Sequence, residues 1–220
     1  TLPWDSFSPH QDIISQRLRV LTALPGMSSG IIIATVGILH QRLPPLDYIA
    51  ARSLSLETGQ ELPRESFTGS LVEAGYLRVP QVSEHGEFAV RGSLIDIFPM
   101  GADAPLRIDF FGEEIESLRY FSAETQLSGD KVNAIRILPA RETPLDADSV
   151  TLFRHNYRER FEGQPGQSRV YREISDGIAH GGIEYYLPLF FEATASFVDY
   201  LPDDCVIMVP DSLSSLLQQF

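Results

Sequence analysis

The chain has 220 residues, enough for one large domain or two small ones, and its 43% hydrophobic fraction supplies an ample core. A net charge of −13 argues against gripping nucleic acid through the bulk field, because that affinity comes mostly from Lys and Arg displacing counterions. No apolar run approaches the ~18 residues of a membrane span, no signal peptide is present, and the lone cysteine excludes an internal disulfide, so a cytoplasmic protein is expected.

The first segment, 1–53, opens with a loop rich in Pro and Ser. Thr1 is not an initiator methionine, so the chain reads as a piece of a longer protein whose first domain is truncated at its start. Ile13, Ile14, Arg17, Leu18, Leu21 and Leu24 recur at helical spacing and predict an amphipathic helix ended by Pro25-Gly26. The run from Gly30 to Val36, with three consecutive isoleucines, reads as a buried central strand of a parallel sheet. A short helix over 37–42 is expected to stop at Pro44-Pro45.

The middle segment, 54–139, changes character. Leu54 to Leu56 alternates like a strand, and Pro63 opens a helix that runs through Phe67, Leu71 and Val72 to Gly75. Five strands are expected over 86–90, 93–98, 105–111, 114–121 and 132–138. A helix followed by an antiparallel meander argues for an inserted α+β domain. Glu84-His85-Gly86-Glu87 has the composition of a metal or acid–base site, but all four lie in one turn, and a solvated turn is the expectation.

The third segment, 140–220, restores the first pattern. Leu152, Phe153, Tyr157 and Phe161 form an apolar helical stripe. Residues 204–209 read as another parallel strand that buries Cys205 as an inert small hydrophobe, with a helix start at Asp211-Ser212. The expected fold class is therefore α/β, a parallel-sheet module (1–53 and 140–220) interrupted by an inserted domain with an antiparallel sheet (54–139).

Within the insert, Gly112 at the first central position of Phe111-Gly112-Glu113-Glu114 suits a two-residue type II′ turn. In that register Phe111 faces Glu114, Phe110 faces Ile115, Asp109 faces Glu116 and Ile108 faces Ser117. Alternation then sends Ile108, Phe110 and Ile115 to the core, and sets Arg107, Asp109, Phe111, Glu114 and Glu116 on the opposite face. A phenylalanine between an arginine and carboxylates on a polar face marks a contact surface. No nucleophile, base and orienter converge there. A cross-strand pair of Arg107 with Asp109 or Glu116 would be exposed and contribute only ~0–1 kcal/mol, so replacing Arg107 should barely affect folding. All cations but Lys131 are arginines, whose planar fork suits bidentate pairing with carboxylates.

The words Val90-Arg91-Gly92, Ile95 to Pro99 and Arg107 to Glu116 resemble the inserted domain 2 of the UvrB excision-repair family. They resemble more closely the matching part of the Mfd transcription-repair coupling factors, and the stretches Leu2 to Asp12 and Gly182 to Phe191 look like that second family. The resemblance covers nearly the whole chain. It implies that the parallel-sheet module is a degenerate helicase-like one. It also implies a non-catalytic adaptor that recruits UvrA to stalled transcription sites. RNA polymerase and DNA would be engaged only through other regions of the longer protein, where its ATP-driven motor lies. Carried over by motif, the UvrA-binding residues fall on Arg91, Arg107 and Phe111. UvrB has a further arginine where this chain has Ala89, so one cationic contact is absent and weaker binding than UvrB's is expected.

The alternative is a catalytic UvrB-type helicase fragment that binds ATP and DNA. A P-loop needs a lysine and a Ser or Thr after its glycines, and the stretch Gly26 to Gly30 has no lysine. Where UvrB carries its acidic box, Pro210 replaces the magnesium-linked carboxylate, Leu213 replaces a histidine, and Asp211 reads as a helix cap. No nucleotide site, catalytic residue, metal or cofactor is therefore expected. The long DNA-clamping hairpin of UvrB is reduced to Trp4 to His10, and Trp4 and Phe7 are expected to pack on the α/β layer rather than stack on bases. The five histidines lack zinc-ligand spacing.

Overall fold

The amphipathic helix forms as α1 (Gln11–Ala23) and is prolonged by a 3₁₀ turn, Leu24–Gly26. Ile14, Leu18, Leu21 and Leu24 make its buried stripe, while Ile13 faces solvent. The expected helix over 37–42 is a 3₁₀ turn, Val36–His40. Pro45 does not end a helix but caps the start of one, α2 (Leu46–Ala51), where its missing N–H costs no intrahelical bond. The computed structural model describes residues 7–210, so Trp4, Asp211, Leu213 and the helix start expected at Asp211 lie outside the described residues.

β1 (Leu54–Glu57) and α3 (Arg64–Glu73) lead into a six-stranded sheet. Its strands are β2 (Leu77–Arg78), β3 (Glu87–Arg91), β4 (Leu94–Ile97), β5 (Leu106–Phe111), β6 (Glu114–Phe121) and β7 (Ser128–Val132), adjacent in chain order. β2 and β3 run parallel, and every other pair is antiparallel. β8 (Ala134–Ile137) leaves this sheet and pairs antiparallel with β1. The single strand expected over 132–138 is thus β8, preceded by a separate β7.

One face of the sheet contributes Phe88, Ile95, Ile97, Ile108, Phe110 and Leu118 to a core shared with Leu18 and Leu21 of α1, Ile49 of α2 and Phe67 and Leu71 of α3. That core is continuous across residues 54 and 139. Tyr76 lies inside it, donating to the Leu138 carbonyl at 2.7 Å and accepting from Met100 N–H at 3.1 Å. Its polar atom is therefore satisfied, as burial demands. After residue 140 a second, aromatic core forms between α4 (Ala147–Arg160), α5 (Arg169–Ser175) and the 3₁₀ segment Ile183–Phe190, around Phe153, Tyr157, Tyr171 and Phe190.

Asp146 caps α4, accepting from Ser149 N–H at 2.9 Å and pairing with Arg52. Burial pushes its carboxyl up, but hydrogen bonds from Ser149 and the Arg52 guanidinium outweigh that and hold its pKa below the usual carboxylate range. A depressed folded pKa contributes stability that is fully present above the ~3.9 of a free aspartate and lost as pH falls through the folded value. Asp146→Ala should therefore cost about 1 kcal/mol in neutral urea melts. The gap to the parent should close as the pH is taken below that window.

Two expectations fail here. Residues 30–35 and 204–209 are not strands. Ile31 and Ile33 are 88% and 93% exposed, Met208 is 91% exposed, and Cys205 is exposed instead of buried. A central parallel strand needs hydrogen-bonded neighbours on both sides, and no described residue pairs with either run. The fold is still mixed α/β, with a two-stranded antiparallel sheet and a six-stranded mixed sheet whose parallel pairing is confined to β2 and β3.

Two smaller expectations are corrected as well. Phe7 is exposed rather than packed on the layer. The turn at Glu84 to Glu87 is a junction, because His85 Nδ1 lies 2.7 Å from an Asp12 carboxylate oxygen on α1 and Nε2 lies 2.9 Å from the Ala102 carbonyl. Glu87 in turn accepts from the N–H groups of Ser83 and Glu84 at 2.8 and 2.9 Å. Among the described residues no helix is long and apolar enough to cross a membrane.

Candidate functional site

The β5–β6 turn has Gly112 at φ +67, and Glu113 is not in the positive-φ region, as a type II′ turn requires. Phe111 pairs with Glu114 and Phe110 with Ile115, as expected. The register then shifts, so that Asp109 faces Ser117 rather than Glu116, and Ile108 faces Leu118 rather than Ser117. Glu116 is the extra residue of a β-bulge. The cause is the spacing of Ile115 and Leu118, three apart where alternation needs two. One inserted residue returns both to the core, and Ile108, Phe110 and Ile115 are buried with them.

The opposite face carries two cross-strand rows. One row runs Arg91, Leu94, Asp109, Ser117, and the next runs Ala89, Asp96, Arg107, Arg119. Phe111 stands one step beyond the first row at the hairpin tip and is 78% exposed. Arg91 is exposed, with one guanidinium nitrogen donating to the Pro80 carbonyl at 3.1 Å. Two strand spacings and two residue rises place Arg91 and Phe111 about 12 Å apart, within one contact patch. Asp109 lies between them and accepts from the Ser93 hydroxyl at 3.2 Å. The tip is steadied from its edge by residues 59–62, where Leu62 N–H donates to Glu113 at 2.7 Å and Ile115 N–H to Gln60 at 2.9 Å. Exposed Glu61, Glu113, Glu114 and Glu116 give it an acidic rim.

Arg107 shares the face, but its guanidinium does not form the exposed pair expected with Asp109 or Glu116. Nε and Nη2 donate to the two carboxylate oxygens of Asp96 at 2.7 and 2.9 Å. Nη1 reaches Ser128 Oγ at 3.1 Å and the Gln126 carbonyl at 3.3 Å, and the Phe121 ring centroid lies 4.8 Å away. Asp96 is only 2% exposed. Its hydrogen bonds to Asp96 raise the arginine's pKa, against a smaller opposing effect of burial. The structure thus brings Arg91 and Phe111 onto the open end of the face and ties Arg107 into its sealed end.

Ala89 is buried there with Val82 and Phe121. An arginine at that position would have to displace both. Asp96, Leu94 and Arg119 escaped the sequence reading. The signal for Asp96 was its place between Ile95 and Ile97, which puts it opposite the core. The loop over 98–105 hid which residue of β5 it would meet. An exposed aromatic, a cation within reach and a carboxylate rim can recognise another surface, and they supply no acid–base or nucleophilic pair.

A family model, the UvrB interaction domain, matches residues 54–142. The chain is 43% identical over 221 aligned residues, all of its length, to the transcription-repair-coupling factor of Escherichia coli, covering 19% of that protein. It is 44% identical to that of Haemophilus influenzae, over 94% of this chain and 18% of the relative, and 32% identical to that of Rickettsia conorii, over 97% and 19%. The chain therefore spans about a fifth of the length of these relatives. Over its whole length it is thus similar to one part of the transcription-repair-coupling factors, and within that length it matches the UvrB interaction domain.

Proposed function

We propose that this chain is a non-catalytic adaptor that recruits UvrA to stalled transcription sites through the outer face of β3–β6. The observation that carries the reading is Phe111, a large aromatic held in water at a rigid hairpin tip while its neighbour Phe110 fills the core. Phe111 serves as the apolar anchor and Arg91 as the ionic contact, the residue types that dominate binding energy at protein interfaces. Arg107 belongs to the same site by holding β5 to β4. RNA polymerase and DNA are engaged through regions of the longer protein beyond this chain, and the setting is the cytoplasm.

Catalysis is not part of this role. Pro210, in place of a magnesium-linked carboxylate, lies exposed in an irregular segment. The division into 1–53, 54–139 and 140–220 is part of the proposal. The pairing of β1 with β8 supports it, because it closes residues 54–137 into a loop whose two ends lie side by side.

Capture of purified UvrA by the immobilised chain tests the reading, and failure of the parent chain to retain UvrA would overturn it. The chain should also fail to bind duplex DNA tightly. With −13 net charge, its Kd at ~0.15 M salt should stay weaker than about 10⁻⁶ M, the tight end of non-specific binding. Fluorescence anisotropy with a labelled duplex measures this directly.

A further inference from the structure

The α4–α5 unit carries a cationic spot that UvrA recruitment does not use. Arg154 and Arg158 lie one helical turn apart on the exposed face of α4, and both reach the phenol of Tyr171 on α5. Arg154 Nε lies 3.5 Å from the phenol oxygen, and the Arg158 guanidinium carbon lies 5.6 Å from the ring centroid. The Tyr171 ring itself packs inward against Phe153 and Tyr157, at centroid separations of 6.3 and 5.2 Å. Burial pushes its phenol up, but the hydrogen bonds and charges of the two arginines outweigh that and leave its pKa below the ordinary value.

Like charges at i and i+4 repel one another on a helix. The chain has 30 carboxylates, yet among the described residues none forms an ion pair with either arginine. On α5, Arg169 pairs with Glu173 at 2.6 Å and Arg172 donates to the Gly166 carbonyl at 2.9 Å, so neither is directed at this spot. Two forked guanidiniums beside a fixed phenol match the planar, bidentate geometry of a carboxylate.

We propose that Arg154, Arg158 and Tyr171 form a docking site for a carboxylate side chain presented by an acidic segment of a protein partner. The spot is small and isolated. A nucleic-acid backbone draws affinity from many phosphates neutralised in series, and Glu159, Glu162 and Glu173 flank this site in sequence. The half-buried Phe161 and Tyr186 rings, 6.2 Å apart in the same aromatic core, offer an apolar shoulder for the residues beside the carboxylate.

The test uses the full chain and a fluorescein-labelled hexaglutamate peptide, with a labelled ten-nucleotide thymidine strand as the competing class. Peptide affinity should fall at least tenfold in the Arg154→Gln/Arg158→Gln variant and stay unchanged in Arg19→Gln, a surface control elsewhere. Peptide should also move the Tyr171 ionisation to higher pH, because its carboxylates offset the arginine charges that favour the phenolate, read as the difference in 295 nm titration between the parent and Tyr171→Phe. Equal peptide binding by the double variant and the parent overturns the site, as does an unmoved Tyr171 titration. Binding of the oligonucleotide as tight as that of the peptide overturns the assignment to a protein carboxylate.

Discussion

Phe111→Ala should weaken UvrA binding by roughly 30-fold or more while leaving the melting temperature of the chain in place. Truncating a central, desolvated aromatic at an interface commonly costs ~2–4 kcal/mol, and 1.4 kcal/mol corresponds to tenfold in affinity. The side chain is 78% exposed, so it contributes little to the chain's own core, and surface substitutions usually change stability by no more than about ±0.5 kcal/mol. Phe110→Ala supplies the mirror image. That ring lies in the main core, and removing it should destabilise the fold by ~3–5 kcal/mol. Arg91→Ala should act like Phe111→Ala, but with an effect that shrinks as salt is added, because exposed charges are screened within a Debye length. Calorimetry with UvrA, run beside melting curves, separates these outcomes. If Phe111→Ala binds UvrA normally, the recognition surface is not at this tip.

Arg107→Ala should behave differently from both. It leaves the Asp96 carboxylate, 2% exposed, without its bidentate partner. Removing one member of a buried pair costs ~3–5 kcal/mol, because the remaining charge is stranded away from water. For a domain of this size the melting temperature should fall on the order of 10 °C. UvrA binding should drop as well, through a loosened β4–β5 pairing rather than a lost contact. Asp96→Asn is the discriminating variant. Asp96 is sealed beneath the face and cannot touch a partner, so weakened UvrA binding in Asp96→Asn shows that Arg107 acts by positioning. Full UvrA affinity in Asp96→Asn, with loss confined to Arg107→Ala at unchanged melting temperature, would make the guanidinium a direct contact.

The hairpin was legible in sequence because its determinants are local. Gly112 selected the turn, and alternation from it placed Phe110 inward and Phe111 outward. The reading lost register three residues from the turn, where Ile115 and Leu118 demand a bulge that alternation alone does not signal. Arg107 was misread for a related reason. Its true partner, Asp96, sits on the previous strand across a loop, and loop length does not fix strand register. The runs at 30–36 and 204–209 misled more deeply. Apolar composition signals burial, but a strand is defined by hydrogen-bonded neighbours. A run of isoleucines carries no information about whether those neighbours are at hand.

The six-stranded sheet ends in two edges poorly suited to growth. β2 contributes only Leu77 and Arg78, and β7 presents Gly129, Asp130 and Lys131. Short or charged edges resist the addition of a further strand. A visiting protein cannot gain much by extending the ladder with its own backbone, a mode that tolerates almost any sequence. It has to read side chains standing on the sheet's face. Recognition of that kind is won or lost one residue at a time, and edges of this kind keep the sheet from zipping onto copies of itself.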